Sequence, residues 1–418
     1  MKNTLAKYAI SSVAAAILAA NASAGTVTSD GADIKIKTKG GLSVETTDGD
    51  FSFQLGGRIQ AQFDQYSDSM NLKQGGDTAN DLFIRRARIY VKGTLYSDWA
   101  YKAQFNIDSD GSKGGSYEDL YIKWTKFKMA NVTVGNHKEP FSLQELTSSK
   151  YVTTVERAAI DDFLSEGRSL GVSIGGATNA WGYAIGLYDT DKENNSGKSL
   201  WAVTGRAFAS PINNEDTVLH IGAGFSQRDG SDSTDPFNGG SVTQGIKKGN
   251  ELNIDLVDDA DGQTLYNIEA AARFGAFHAS TEYHVRKTDA VSGGTDAEVN
   301  GYYVQGGWFI TGEARPYKKG AWNKVKPNNK GIGAWELFAR FEGLNGDDEG
   351  ISEDNRNKGT IFTAGANWYA NDSIRVSANY VQSNWDKALD ETLNIADEDS
   401  LFSEDSGRGF AIRVQVAY

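Results

Sequence analysis

Residues Phe51 to Asp64 read FSFQLGGRIQAQFD. Phe51, Phe53, Leu55, Gly57, Ile59, Ala61 and Phe63 fall on one parity; Ser52, Gln54, Gly56, Arg58, Gln60, Gln62 and Asp64 fall on the other. Successive side chains of a strand project to opposite faces, so this stretch has one apolar face and one polar face that carries charge. The alternation lasts about a dozen residues, whereas soluble strands run to about five or six. That length suits a strand crossing a bilayer at a tilt, with lipid on one side and water on the other.

The pattern recurs along the chain. Phe83 to Leu95 sets Phe83, Ala87, Ile89, Val91 and Leu95 against Arg86, Arg88, Tyr90 and Lys92. Arg85 breaks the apolar parity and is expected near an interface, where depth makes a charge tolerable. Residues 99–107, 117–125, 131–137, 169–175, 180–188, 200–209, 218–228, 265–273, 276–285, 300–310, 333–343, 360–369, 374–384 and 409–418 complete a set of sixteen. An even number is usual for single-chain outer-membrane barrels. The last segment places Phe410, Ile412, Val414, Val416 and Tyr418 on one parity, and its terminal aromatic looks like an outer-membrane insertion signal. The expected fold is all-β, a 16-stranded antiparallel transmembrane β-barrel with long outer loops and an inward-folded constriction loop.

Composition agrees. Cysteine is absent, which leaves neither disulfides nor thiolate metal sites. Hydrophobic residues make up only 39%, and past the first residues no stretch approaches the roughly 18 apolar residues of a transmembrane helix. Met1 to Ala24 reads as a secretory signal, with Lys2 and Lys7 ahead of the apolar run Ala9 to Ala20 and small residues Ala22-Ser23-Ala24 at the cleavage point. Residues 25–50 form a polar leader expected in the periplasm, and 51–418 the barrel. Losing two lysines takes the formal charge from −13 to −15, 40 basic against 55 acidic residues. Such a total disfavours nucleic acid as a partner.

Long links at 67–78, 109–116, 138–168, 189–198, 229–263, 287–299, 344–358 and 385–408 alternate with short ones, as outer loops alternate with periplasmic turns. The link 311–332 should be a short turn and is not. It carries Arg315, Lys318, Lys319, Lys324, Lys326 and Lys330 against Glu313 alone, and either folds up into the periplasmic mouth or remains a solvated turn. The third outer link, 138–168, stands where large porins fold a loop inward to narrow the channel. It mixes Lys138, Lys150, Arg157 and Arg168 with Glu139, Glu145, Glu156, Asp161, Asp162 and Glu166.

Collecting the inward parity gives Arg58, Arg86, Arg88, Lys92, Lys102, Lys123, Arg206, Arg228, Arg273, Arg286, Arg340, Arg375 and Arg413. Inward acids are fewer: Asp64, Asp119, Glu269, Glu282, Glu336 and Glu342. Acidic runs such as Asp347-Asp348-Glu349 and Asp397-Glu398-Asp399 belong to outer loops, so the negative total leaves a basic pore wall. An anion pore needs fixed cations that replace lost hydration yet release the ion, and a planar guanidinium suits phosphate. The candidate anion-binding residues are Arg58, Arg86, Arg88, Lys92, Lys150, Arg157, Arg206, Arg340 and Arg375. For any one of them the plainer role is partner to an inward carboxylate.

Several stretches resemble the phosphate-selective porin O and P family: Leu55-Gly56-Gly57-Arg58, Phe83 to Arg88, Gly135 to Phe141, Leu146 to Lys150, Glu156-Arg157, Arg168 to Val172, Thr311 to Tyr317 and Gly333 to Leu337. They run in order through most of the mature chain. The resemblance implies a sixteen-stranded homotrimer in the outer membrane of a Gram-negative bacterium, among lipid and lipopolysaccharide. It also implies a water-filled channel passing small anions, phosphate or polyphosphate, along a ladder of arginines and lysines. Arg58, Arg85, Arg86, Arg88, Lys150 and Arg157 match basic positions of that kind.

The acidic loops leave a general or cation-preferring porin as an alternative. An outer-membrane hydrolase is the rival from another class, and it needs a nucleophile held against a base. His137, His220, His278 and His284 are the only histidines. His278 and His284 share a parity with Glu282 but lie six residues apart, too far to act together on one face. No catalytic residue, metal or cofactor is expected.

Overall fold

The computed structural model describes residues 26–27, 33–38, 41–107, 116–190, 201–229, 239–352, 358–386 and 406–418. The signal segment 1–24 and the acidic stretch 397–399 lie outside the described residues. Sixteen strands form the barrel: β1 (Ser52–Asp68), β2 (Ala79–Leu95), β3 (Trp99–Asn106), β4 (Tyr117–Trp124), β5 (Asn131–Lys138), β6 (Arg168–Ala177), β7 (Trp181–Asp189) and β8 (Trp201–Asn213). The second half is β9 (Thr217–Asp229), β10 (Ala260–Phe274), β11 (Phe277–Ala290), β12 (Ala297–Phe309), β13 (Ala334–Asn345), β14 (Lys358–Tyr369), β15 (Ile374–Asp386) and β16 (Ser406–Ala417). Each pairs antiparallel with the next, and β16 returns to β1 in the register Ala417↔Arg58 through Gly407↔Asp68. Tyr418 seals the seam: Gly57 N–H donates to its carbonyl at 3.0 Å, and its own N–H donates to the Gly57 carbonyl at 3.1 Å. Closure leaves the barrel without an unpaired strand edge, the condition for crossing hydrocarbon.

The alternation of the opening stretch becomes the wall. Ile59 is exposed outward, whereas Arg58, Gln60, Gln62 and Asp64 are buried inside. Aromatic side chains ring the short-turn rim on the outside, with Trp99 on Trp124, Phe277 on Trp308 and Trp335 on Trp368 stacked at 6.3, 5.6 and 5.8 Å. Such a girdle marks the level where the apolar band meets headgroups.

Two expectations need correction. The register between β1 and β2 shifts at Gln60 and Ala61, which pair with Arg86 and Ile84 and leave Arg85 as the extra residue of a bulge. The bulge turns Arg85 inward instead of leaving it at an interface. It also reverses the parity before it: Leu82 and Ile84 face outward, and Phe83 faces the lumen, where the Lys248 ammonium lies 4.9 Å from its ring centroid. The leader has strands of its own. Thr26–Val27, Ile34–Lys37 and Leu42–Thr46 form an antiparallel meander that joins β1 (Leu42↔Leu55 to Glu45↔Ser52) on the side β16 has left.

The lumen is largely filled. Residues 139–167 fold inward and include the short helices α1 (Leu143–Leu146) and α2 (Ala159–Phe163). A hairpin of Gly239–Thr243 and Glu251–Asp255 packs on α2. Val155, Ile160, Phe163 and Leu164 meet Val242, Ile246, Leu252 and Ile254 and the inward-facing Tyr303, Leu344, Ile361, Val381 and Trp385. The apolar core therefore lies inside the barrel against β12–β16, and the larger water-filled space lies on the opposite side.

The link 311–332 takes the first of its two expected courses. Arg315 donates to Thr153 Oγ1 at 2.5 Å and to the Tyr151 carbonyl at 3.0 Å, and the Trp322 N–H donates to Thr147 Oγ1 at 3.3 Å. Tyr317 and Trp322 are buried, while Lys318, Lys319, Lys326 and Lys330 remain exposed.

Candidate functional site

Segment 139–167 crosses the lumen and is held on nearly every side. Glu282 accepts from the N–H groups of Leu143 and Gln144 at 3.0 and 2.8 Å, and Glu342 accepts from Ala159 at 2.6 Å. Arg340 donates to Thr154 Oγ1 and the carbonyls of Glu156 and Arg157; Arg375 donates to the Val152 carbonyl at 2.7 Å. A loop satisfied this thoroughly has its backbone polar groups paired inside the barrel.

Against β1–β6 the segment leaves a cavity of ≈ 490 Å³. Its wall carries Arg58, Arg86, Arg88, Lys92, Lys102, Lys138, Lys150, Arg157 and Arg168, and among carboxylates only Asp119. A second cavity of ≈ 230 Å³ continues toward the short-turn rim, lined by Lys324, Arg375, Gln415, Asn371, Tyr418 and the carboxylate of Asp372. Tyr90, Lys92, Lys150 and Tyr151 border both. At that junction the ammonium groups of Lys92, Lys102 and Lys150 lie 5.6, 5.7 and 5.4 Å from the Tyr90 ring centroid.

Nearby acids are shared. Asp119 takes both Lys102 and Arg168, the latter at 2.6 Å; Glu118 takes Arg88 and, at 2.9 Å, Arg168. Glu145 takes Lys138 at 2.7 Å and Arg157 at 3.1 Å. With Arg168 shared between Asp119 and Glu118, three carboxylates meet five cations, so pairing does not cancel the positive field. Arg58, Lys92 and Lys150 have no carboxylate partner among the described residues. Arg58 donates to Ser149 Oγ at 2.6 Å, and its Nε is buried without a hydrogen bond. Burial, reinforced by Arg58, Lys102 and Lys92, pushes the Lys150 ammonium down to about 8.

The candidate residues divide. Arg58, Arg86, Arg88, Lys92, Lys150 and Arg157 line the larger cavity, and Arg375 lines the smaller. Arg206 and Arg340 line neither. Arg206 is buried with its guanidinium on Glu269 (Nε–Oε1 2.9 Å) and on the Gly320 carbonyl, and Arg340 is paired with Glu342 at 2.7 Å. Arg206 Nε and Nη2 and the whole Arg340 guanidinium are engaged with protein groups, and neither side chain reaches the two cavities. Lys102, Lys138 and Arg168 join the wall although they were not among the nine candidates. Lys102 was legible from its inward parity; Lys138 and Arg168 sit where strands β5 and β6 hand over to the inward segment.

The histidines serve the scaffold. His220 contacts Glu269 at 2.9 Å, His278 contacts Glu336 at 2.7 Å and His284 contacts Glu282 at 3.3 Å, all buried. Among the described residues no group of His, Asp and Glu side chains is placed to hold a metal.

The sequence profile described as phosphate-selective porin O and P matches residues 53–418. The chain is 34% identical, over 447 residues, to Porin O of Pseudomonas aeruginosa, with 99% of each chain covered. Among solved structures it shares its fold with an anion-selective porin from Comamonas acidovorans (TM-score 0.56, 13% identity, 88% of this chain and 100% of that one). A trimer form of OmpT from Vibrio cholerae is similar (TM-score 0.54, 14% identity, 88% and 99%). With a closed sixteen-stranded barrel and this match over nearly its whole length, the chain belongs to the phosphate-selective porin O and P family of outer-membrane channels, which are not enzymes.

Proposed function

We propose that the protein passes small anions, phosphate among them, along the corridor between β1–β6 and the inward segment. The observation that carries this reading is the wall of the larger cavity, where nine arginines and lysines stand against Asp119 alone among the described carboxylates. Arg58, Arg86, Arg88, Lys92, Lys150 and Arg157 act in sequence, with Arg375 toward the periplasm. Shared carboxylates keep any one site from becoming a trap, which conduction requires.

The chain works as a homotrimer in a lipid and lipopolysaccharide bilayer. Strands β3, β4 and β5 support this: each has only 8 residues, against 12 to 17 in β1, β2 and β8–β16. A spanning strand needs about 9–11 residues. A neighbouring copy placed against this low stretch of wall shields it from hydrocarbon. Export through the inner membrane falls to residues 1–24.

The test is the reversal potential of the purified trimer in a planar bilayer under a potassium chloride gradient, then with added phosphate. Anion preference and a chloride current reduced by phosphate are expected. Cation preference at neutral pH would remove the proposal and leave the barrel and the family unchanged.

A further inference from the structure

Glu156 stands apart from the other lumenal acids. It lies on the inward segment, is 5% exposed, and faces three arginines from two strands, Arg85 and Arg86 of β2 and Arg413 of β16. Arg85 grips it as a fork, Nε to Oε1 at 2.8 Å and Nη2 to Oε2 at 2.9 Å. Arg413 reaches Oε1 at 2.5 Å, and Arg86 stands 3.8 Å from Oε2. Arg86 also lines the larger cavity, so this cluster borders the corridor.

A carboxylate in a guanidinium fork, with further guanidinium groups beside it, reproduces the contacts a phosphate oxygen pair would make. We propose that Glu156 is a tethered counter-anion: it occupies the anion position of Arg85 and Arg86 and thereby sets how weakly the corridor holds a passing anion. Among these four groups, three arginines against one carboxylate sum to +2. The fork of Arg85 is taken, and Arg86 keeps enough of its field to draw anions on. With the tether removed, the same groups become a deep site from which an ion escapes slowly, the condition that stops conduction.

The inference rests on anion conduction as proposed above, and charge arithmetic makes it separable from that reading. Glu156→Gln raises the sum over these four groups to +3, Arg85→Gln lowers it to +1, and the double variant restores +2. The measurement is the phosphate concentration that halves the single-channel chloride current, taken on heat-modifiable, correctly folded trimer. Glu156→Gln should lower that concentration by roughly tenfold, the order a charge-assisted hydrogen bond commands. Arg85→Gln should raise it, and the double variant should return near wild type. If Glu156→Gln fails to assemble, the weakening in Arg85→Gln decides, because Arg413 and Arg86 still hold Glu156 there. Unchanged half-blocking concentrations in folded variants, or shifts in the same direction for both single variants, would overturn the proposal. Wild-type reversal potential reports on anion conduction by itself. In a channel indifferent to phosphate the same order is read from the chloride permeability ratio.

Discussion

Removal of Lys150 tests the proposed anion path most directly. It borders both cavities and has no carboxylate partner among the described residues, so its charge is delivered to the corridor undiluted. A unit charge about 4 Å from a passing monovalent anion contributes about 1 kcal/mol in water-like surroundings and about 4 kcal/mol at an effective dielectric of ~20. Even the smaller figure corresponds to about a fivefold change in anion occupancy. Lys150→Gln should therefore lower the chloride-to-potassium permeability ratio by about fivefold or more. The charge titrates as well. Burial, with Arg58, Lys102 and Lys92 adding repulsion, brings Lys150 down to about 8, so its cation is present below that pH and lost as pH rises through it. Wild-type anion preference should fall between pH 7 and pH 9, while Lys150→Gln should be flat over that interval. The assay is reversal potential against bath pH in planar bilayers. A variant as anion-selective as wild type, or one that keeps the same pH dependence, would refute the reasoning.

The remaining predictions separate scaffold from corridor. Arg206→Met leaves Glu269 buried without its guanidinium and should cost about 3–5 kcal/mol of unfolding free energy in urea, with the reversal potential unmoved; a selectivity change without a stability loss would contradict this. Ile268→Arg, on the outward face of β10, should destabilise the barrel by about 2–4 kcal/mol in lipid vesicles if it lies near the bilayer midplane. Gly135→Ala in β5 forces a side chain onto a backbone with φ of 123° and places its Cβ 2.3 Å from the Leu120 carbonyl oxygen. That variant should fold poorly, seen as loss of heat-modifiable migration.

Alternation is a local property with a period of two, which is why FSFQLGGRIQAQFD already separates Ile59, facing lipid, from Arg58, Gln60 and Gln62, facing the lumen. The number of strands, the order of long and short links, and the inward parity of Arg58, Arg88, Lys92 and Asp119 follow from the same rule applied along the chain. The orientation of Arg85 does not, because one extra residue in a bulge shifts every side chain before it, and no residue type in Phe83 to Arg88 announces which one is extra. Nor does the division of the arginines. Arg413 and Glu156 are 257 residues apart, and Arg206 and Glu269 are 63 apart. Whether a lumenal cation faces a carboxylate or water depends on where segments 139–167 and 311–332 come to rest. That is decided by packing against Val242, Ile246, Tyr303 and Trp385 and by backbone groups seeking partners inside a closed wall. The chain alone sets which side chains face inward; only the filled lumen determines which of their charges an ion can meet.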